Sequence, residues 1–182
     1  ETTSGLYVVD VGGGSTEIIG SDDDGRLHGG SVDVGSVRLT EMFVSEHPIV
    51  SAEIRKIKDY VRSKIKEKLA TISLPRPMDL IAVAGTPTTL AAVIQKTPYS
   101  HEVVHGFEIS LVILEEWMER LAKMTVKERQ MLPGMDQKRA DVLVAGLIVL
   151  IETCKYLNLD RVRVSDRGVR FGVALYAYER LQ

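Results

Sequence analysis

At 182 residues, with 45% apolar and 26% charged content, the chain suits one substantial globular domain with a sizeable core. A formal net charge of −2 supplies no global basic field, which argues against nucleic acid as a partner. The lone Cys154 excludes an internal disulfide framework and fits a reducing, cytoplasmic setting. The longest apolar run, Val142 to Ile151, is interrupted only by Gly146 and is too short to span a bilayer. No basic-then-apolar leader precedes the first expected strand.

Leu6 to Val11 and Glu17 to Ser21 are rich in β-branched residues and read as two strands of a hairpin. Between them stand Gly12, Gly13 and Gly14, more glycine than a tight turn needs, then Ser15 and Thr16. Without Cβ atoms, a bulky group can approach their N–H donors, so the loop makes an anion cradle. Asp10 and Glu17 flank it with hard oxygen ligands of the kind Mg²⁺ takes when it binds phosphate. A glycine-rich hairpin without a ligand explains the same residues. The dinucleotide pattern fails because Glu17 replaces its third glycine, and no Gly-Lys-Ser/Thr follows for a Walker loop.

This Asp-Val-Gly-Gly-Gly-Ser-Thr-Glu segment resembles the phosphate-binding loop of the exopolyphosphatase / guanosine pentaphosphate phosphohydrolase (Ppx/GppA) family. The resemblance implies a ribonuclease H-like α/β domain of the actin, hexokinase and Hsp70 superfamily. The expected sheet is mixed and five-stranded, three antiparallel strands followed by parallel ones. It also implies that residues 1–182 form one domain, the second half of a two-domain protein, because the family carries a whole N-terminal domain before this loop.

Further along, Asp22-Asp23-Asp24-Gly25 reads as a solvated turn, and a third strand is expected between Leu27 and Val34. Gly35 or Ser36 caps a short helix carrying Arg38, within a family-like Val-Arg-Leu-Thr run; Arg38 either meets a phosphate or pairs with an acid. From Ser51 to about Ile72, the spacing of Ile54, Ile57, Val61, Ile65 and Leu69 predicts an amphipathic helix. Its outer face holds seven bases against three acids, either a solvated face or a track for a polyanion. Pro75 and Pro77 end it, and Met78 to Ala84 follow as a buried strand.

That strand runs into Gly85-Thr86-Pro87-Thr88-Thr89, with Thr86 expected as N-cap and Pro87 in the first helical position. A glycine leading into a helix N-terminus is a second natural anion site, and the family has a similar Gly-Thr-Ala-Thr-Thr here. Tyr99 to His105 reads as a loop, with no histidine at metal-binding helical spacing from a partner and His105 structural. Ser110 caps a helix through Lys123, and a shorter helix starts at Thr125. Pro-Gly-Met and Arg139-Ala-Asp match another family motif; Arg139, in a first helical turn, opposes the macrodipole, which hints at an anion nearby. Val162 to Ser165 is the last strand, and a helix runs on to Leu181. Phe171 stands where the family has a glutamate.

Together these readings imply release of terminal phosphate from polyphosphate or guanosine pentaphosphate. Glu17 and Asp10 act as catalytic residues and Mg²⁺ ligands. Gly12, Gly13, Gly14, Ser15, Thr16, Gly85, Thr86, Arg139 and Arg38 are the candidate phosphate ligands. The family's principal base is a glutamate of its N-terminal domain, so this chain alone is expected to turn over little. A non-hydrolysing nucleotide sensor, or half of a superfamily ATPase or sugar kinase, are the competing readings. The apolar C-terminal helices offer a homodimer interface.

Overall fold

The computed structural model describes residues 5–70, 72 and 76–181. The helix break assigned to Pro75 lies outside the described residues. Six strands form a single open sheet: β1 Leu6–Val11, β2 Thr16–Ser21, β3 Leu27–Val32, β4 Asp79–Val83, β5 Glu108–Ser110 and β6 Arg161–Val164, in the order β3-β2-β1-β4-β6-β5. β1 to β3 form an antiparallel meander, β4 lies parallel to β1 and β6 parallel to β4, and β5 closes the edge antiparallel to β6. This is the mixed ribonuclease H-like layout, with one strand more than the five expected. The extra strand, β5, has three residues and one inward side chain, Ile109, which is too little to show a period of two.

Eight helices complete the described fold: α1 Ser36–Phe43, α2 Ser51–Leu69, α3 Gly85–Ile94, α4 His101–Val104, α5 Leu111–Ala122, α6 Val126–Gln130, α7 Leu143–Leu157 and α8 Val169–Glu179. α7 is the hub. It is mostly apolar, largely buried, and packs on α1, α2, α3, α5 and β1. α2 presents Ile57, Val61, Ile65 and Leu69 to the core as its spacing predicts, with Ile54 half-buried. Arg62 of α2 reaches α7 and donates from Nε to the buried Glu152 at 2.9 Å. The inward row of the hairpin, Tyr7, Val9, Val11 and Ile18, is buried, whereas Val8, Asp10 and Glu17 on the opposite face are only half-buried. α8 is different: Val169, Phe171, Val173, Leu175, Tyr176 and Tyr178 are all exposed. No described helix is long and apolar enough to cross a membrane.

Arg129 of α6 holds the segment that leads into α7. Its side chain is fully buried and donates from Nε to the Leu121 carbonyl at 2.8 Å and from Nη1 to the Ala140 carbonyl at 2.9 Å. Burial pushes the guanidinium down to about 10, which still leaves it charged at neutral pH. Arg129→Ala leaves two buried carbonyls unpaired beside a large void. The expected cost is about 3–5 kcal/mol, a fall of roughly 10 °C in Tm for a domain of this size. Thermal denaturation checks it, and a Tm within 2 °C of the parent would contradict the assignment.

Candidate functional site

β1 and β4 are parallel neighbours, with Asp10 opposite Val83. Their C-terminal ends therefore deliver two turns to the same edge of the sheet, Gly12–Thr16 after β1 and Ala84–Gly85 after β4.

The first turn is closed by Gly12 N donating to the Ser15 carbonyl at 3.0 Å. It is pinned from behind by the start of α1: Ser36 N donates to the Gly12 carbonyl, and both Val37 N and Arg38 N donate to the Gly13 carbonyl. A Cβ on Gly35, the residue before α1, would stand 2.3 Å from the Gly13 oxygen, so only glycine allows this approach. In a trans peptide the N–H points opposite to the C=O it shares a plane with. With the Gly12 and Gly13 carbonyls directed at α1, the amides of Gly13 and Gly14 point away from it, and both residues are exposed. The amides of Gly13, Gly14 and Ser15 have no protein acceptor among the described residues.

The second turn carries backbone strain. Ala84, the N-cap of α3, has φ 73° and ψ −169°, a conformation that belongs to glycine and costs on the order of 1–3 kcal/mol. The expected cap, Thr86, is instead inside the helix; its side chain is buried against Gly146 of α7. Pro87 falls in the first turn, where its missing N–H costs nothing. The amides of Gly85 and Thr86 open the helix with no acceptor among the described residues.

An open cavity of about 1240 Å³ adjoins this edge. Asp10, Gly85 and Arg139 line it together, with Thr88, Thr89, Tyr99, Asp136, Asp166 and Arg170. Arg139 does not belong to a long helix; it ends a single 3₁₀ turn, Gln137–Arg139, before α7. Its Nε donates to Asp136 Oδ2 at 3.2 Å, and its guanidinium lies directly over the Cα of Gly85. Arg170 forms no ion pair among the described residues, while Arg167 sits over the Phe171 ring at 5.0 Å.

Glu17 faces Asp10 across the hairpin. One of its oxygens accepts from Ser15 Oγ at 2.8 Å and from Ser31 Oγ at 2.7 Å. Burial, then the charge of Glu17, raises the Asp10 carboxyl above its ordinary range. Two carboxylates set side by side, one reluctant to ionise, fit a divalent cation. The remaining candidates go elsewhere. The buried Thr16 donates its hydroxyl to the Val34 carbonyl at 2.5 Å. Ser15 spends its hydroxyl on Glu17. Arg38 is outside the cavity lining, 3.9 Å from Asp33. None of the bases of α2 lines the cavity either. The sequence offered no sign of Tyr99 or Asp166, which the topology brings to this site from distant stretches.

The raised Asp10 carboxyl has a consequence for stability. A folded-state value above the unfolded one favours the acid form, so its contribution is present below the ordinary aspartate range and lost as pH rises through the raised value. At pH 7 the ionised group is a cost to the metal-free fold. Asp10→Asn is expected to raise Tm at pH 7 without divalent cations, with the gain fading toward pH 4; a lowered Tm at pH 7 would contradict this.

A model of the Ppx/GppA phosphatase family matches residues 2–180. The chain belongs to the Ppx/GppA phosphatase family. Exopolyphosphatase 2 of Mycobacterium tuberculosis is 35% identical over 175 residues, which cover 93% of this chain and 54% of that protein. A bifunctional 3-dehydroquinate synthase/phosphatase of Fusobacterium nucleatum is 34% identical over 178 residues, 96% of this chain and 26% of that protein. Among solved structures, the Aquifex aeolicus member of the Ppx/GppA family superposes with a TM-score of 0.87 at 26% identity, covering 97% of this chain and 57% of the other. The chain thus spans about half the length of the exopolyphosphatase it matches.

Proposed function

We propose that this Ppx/GppA domain is the phosphate- and cation-binding half of a phosphoanhydride hydrolase that removes terminal phosphate from inorganic polyphosphate. The observation that carries the reading is the convergence of Asp10, Gly85 and Arg139 on one cavity at the ends of two adjacent parallel strands. Polyphosphate is preferred to guanosine pentaphosphate because the relatives that match over most of this chain include exopolyphosphatases.

Such catalysis is mostly positioning and charge stabilisation. The free amides of Gly13, Gly14 and Ser15 and those of Gly85 and Thr86 donate to non-bridging phosphate oxygens, aided by the positive end of the α3 dipole. Arg139, fixed by Asp136, adds a cation aimed over Gly85. Asp10 and Glu17 would hold Mg²⁺, and the Ser15 and Ser31 hydroxyls fix the orientation of the Glu17 carboxylate. When bound, the ion neutralises phosphate charge. Asp10, which lines the cavity, also positions the attacking water. The principal base is a glutamate from the portion of the relatives that this chain does not cover. The exposed apolar residues of α8 support a homodimer.

Phosphate release from polyphosphate and from guanosine pentaphosphate, measured side by side on the whole natural protein, tests the reading. Release from polyphosphate is expected to dominate. Tight nucleotide binding without release would make the domain a sensor, and adenosine triphosphate binding between the two turns would make it a kinase-like half.

A further inference from the structure

A second group of ligating side chains stands on the Tyr99–Asp166 wall of the cavity. His101 opens α4 and His105 follows four residues later, so one helical turn places both imidazoles on one face. Their rings stack at 4.7 Å, 21° apart. Asp166, just beyond β6, meets both from the opposite side. Its Oδ2 is 2.9 Å from His101 Nδ1 and its Oδ1 is 3.1 Å from His105 Nδ1. Tyr99 OH donates to Oδ2 at 3.2 Å. Ser165 Oγ lies 3.5 Å from His105 Nδ1. Backbone bonds hold the two supports in place: Gly106 N to the Val164 carbonyl and Ser165 N to the Ala82 carbonyl.

Two imidazole nitrogens and one carboxylate oxygen all within 4.8 Å of one another form a three-ligand set. In a tetrahedral site with bonds of about 2.0–2.1 Å, neighbouring donors stand about 3.3 Å apart. Asp166 Oδ1 lies 3.1 Å from both His101 Nδ1 and His105 Nδ1, short of that by only a few tenths of an ångström. Protons alone bind the cluster only if both stacked rings direct Nδ1–H at the same anion. A dication replaces both protons, and the carboxylate then needs no second partner. Imidazole nitrogen suits zinc, cobalt, nickel or copper and does not suit Mg²⁺, which takes hard oxygens.

We propose that His101, His105 and Asp166 form a transition-metal site of the zinc class, distinct from the oxygen pair Asp10 and Glu17. Three protein ligands leave a fourth position open. The ion ties the loop that carries Tyr99 to the turn between β6 and α8. It also cancels the charge of Asp166, a carboxylate on the wall of a cavity built for anions. The site does not depend on the phosphate reading; the cluster exists whatever the cavity binds.

Titration with Co²⁺ in excess Mg²⁺ tests the proposal, with Mg²⁺ occupying the hard oxygen ligands. One Co²⁺ per chain is expected, with visible absorption of a nitrogen-ligated four-coordinate ion that one equivalent of Zn²⁺ abolishes. His101→Asn and His105→Gln should each weaken binding at least tenfold, and Glu17→Ala should not. Absence of the absorption, or affinity unchanged in both histidine variants, overturns the site. Affinity lost only with Glu17→Ala does so too. If the variants misfold, imidazole nitrogen resonances of the parent decide: Zn²⁺ must shift those of His101 and His105, and shifts confined to His28 and His47 overturn it.

Discussion

Glu17→Ala is expected to lower phosphate release from polyphosphate by at least about 10²-fold, the scale seen when one preorganised charge-stabilising group is removed from a reacting phosphate or oxyanion. The loss should fall on kcat and on the Mg²⁺ requirement together. Glu17 directly opposes Asp10 across β1 and β2, and Ser15 and Ser31 hold it on a single oxygen. Glu17→Gln keeps those hydroxyl bonds and the shape but drops the charge. If the cation bridges the two acids, Glu17→Gln fails nearly as badly as Glu17→Ala. If Glu17 merely buttresses the hairpin, Glu17→Gln retains activity, and the metal assignment falls. Initial rates across a Mg²⁺ series separate the two outcomes.

Gly85→Ala should spare the fold and damage the site. A Cβ there would stand 2.0 Å from Arg139 Cζ and 2.3 Å from its Nε. Those atoms are the far end of a flexible side chain, so Arg139 swings away and gives up its 3.2 Å bond to Asp136. Alanine is the better helix former by about 1 kcal/mol, so α3 itself is not harmed. The expelled guanidinium removes one charge-assisted hydrogen bond, about 1.5–3 kcal/mol, or roughly 10–100-fold in phosphate affinity. Calorimetric titration with inorganic phosphate reads the loss, and Tm should stay within a few degrees. Unchanged affinity would show that Arg139 does not contact the anion.

Why some of this was legible in the sequence is a matter of range. The hairpin was readable because β-branched runs, three glycines and two acids lie within a dozen residues and act locally. Ser110 and Thr125 announced their helices because a cap bonds only three residues on, to Ile113 N and Glu128 N. Thr86 misled because its side chain serves tertiary packing against Gly146, and strained Ala84 takes the cap position. The expectation that no histidine stands at metal-binding helical spacing fails at His101 and His105, four residues apart: α4 is a single turn, and the partner that makes the spacing meaningful, Asp166, comes from beyond β6. The same holds for the cavity: Asp10, Gly85 and Arg139 meet only because β4 is inserted between β1 and β6. The basic face of α2 was conspicuous in the sequence yet lies on a helix that packs against α7 and β3 and contributes nothing to the cavity lining.

The proposed sharing of one anion by the two turns is most directly tested by following backbone amide resonances of the isolated domain during titration with phosphate and Mg²⁺. Gly13, Gly14, Ser15, Gly85 and Thr86 should shift together, with one shared dissociation constant. Shifts limited to one turn, or amides of 13–15 and 85–86 that stay still while the basic face of α2 responds, would contradict a shared anion site.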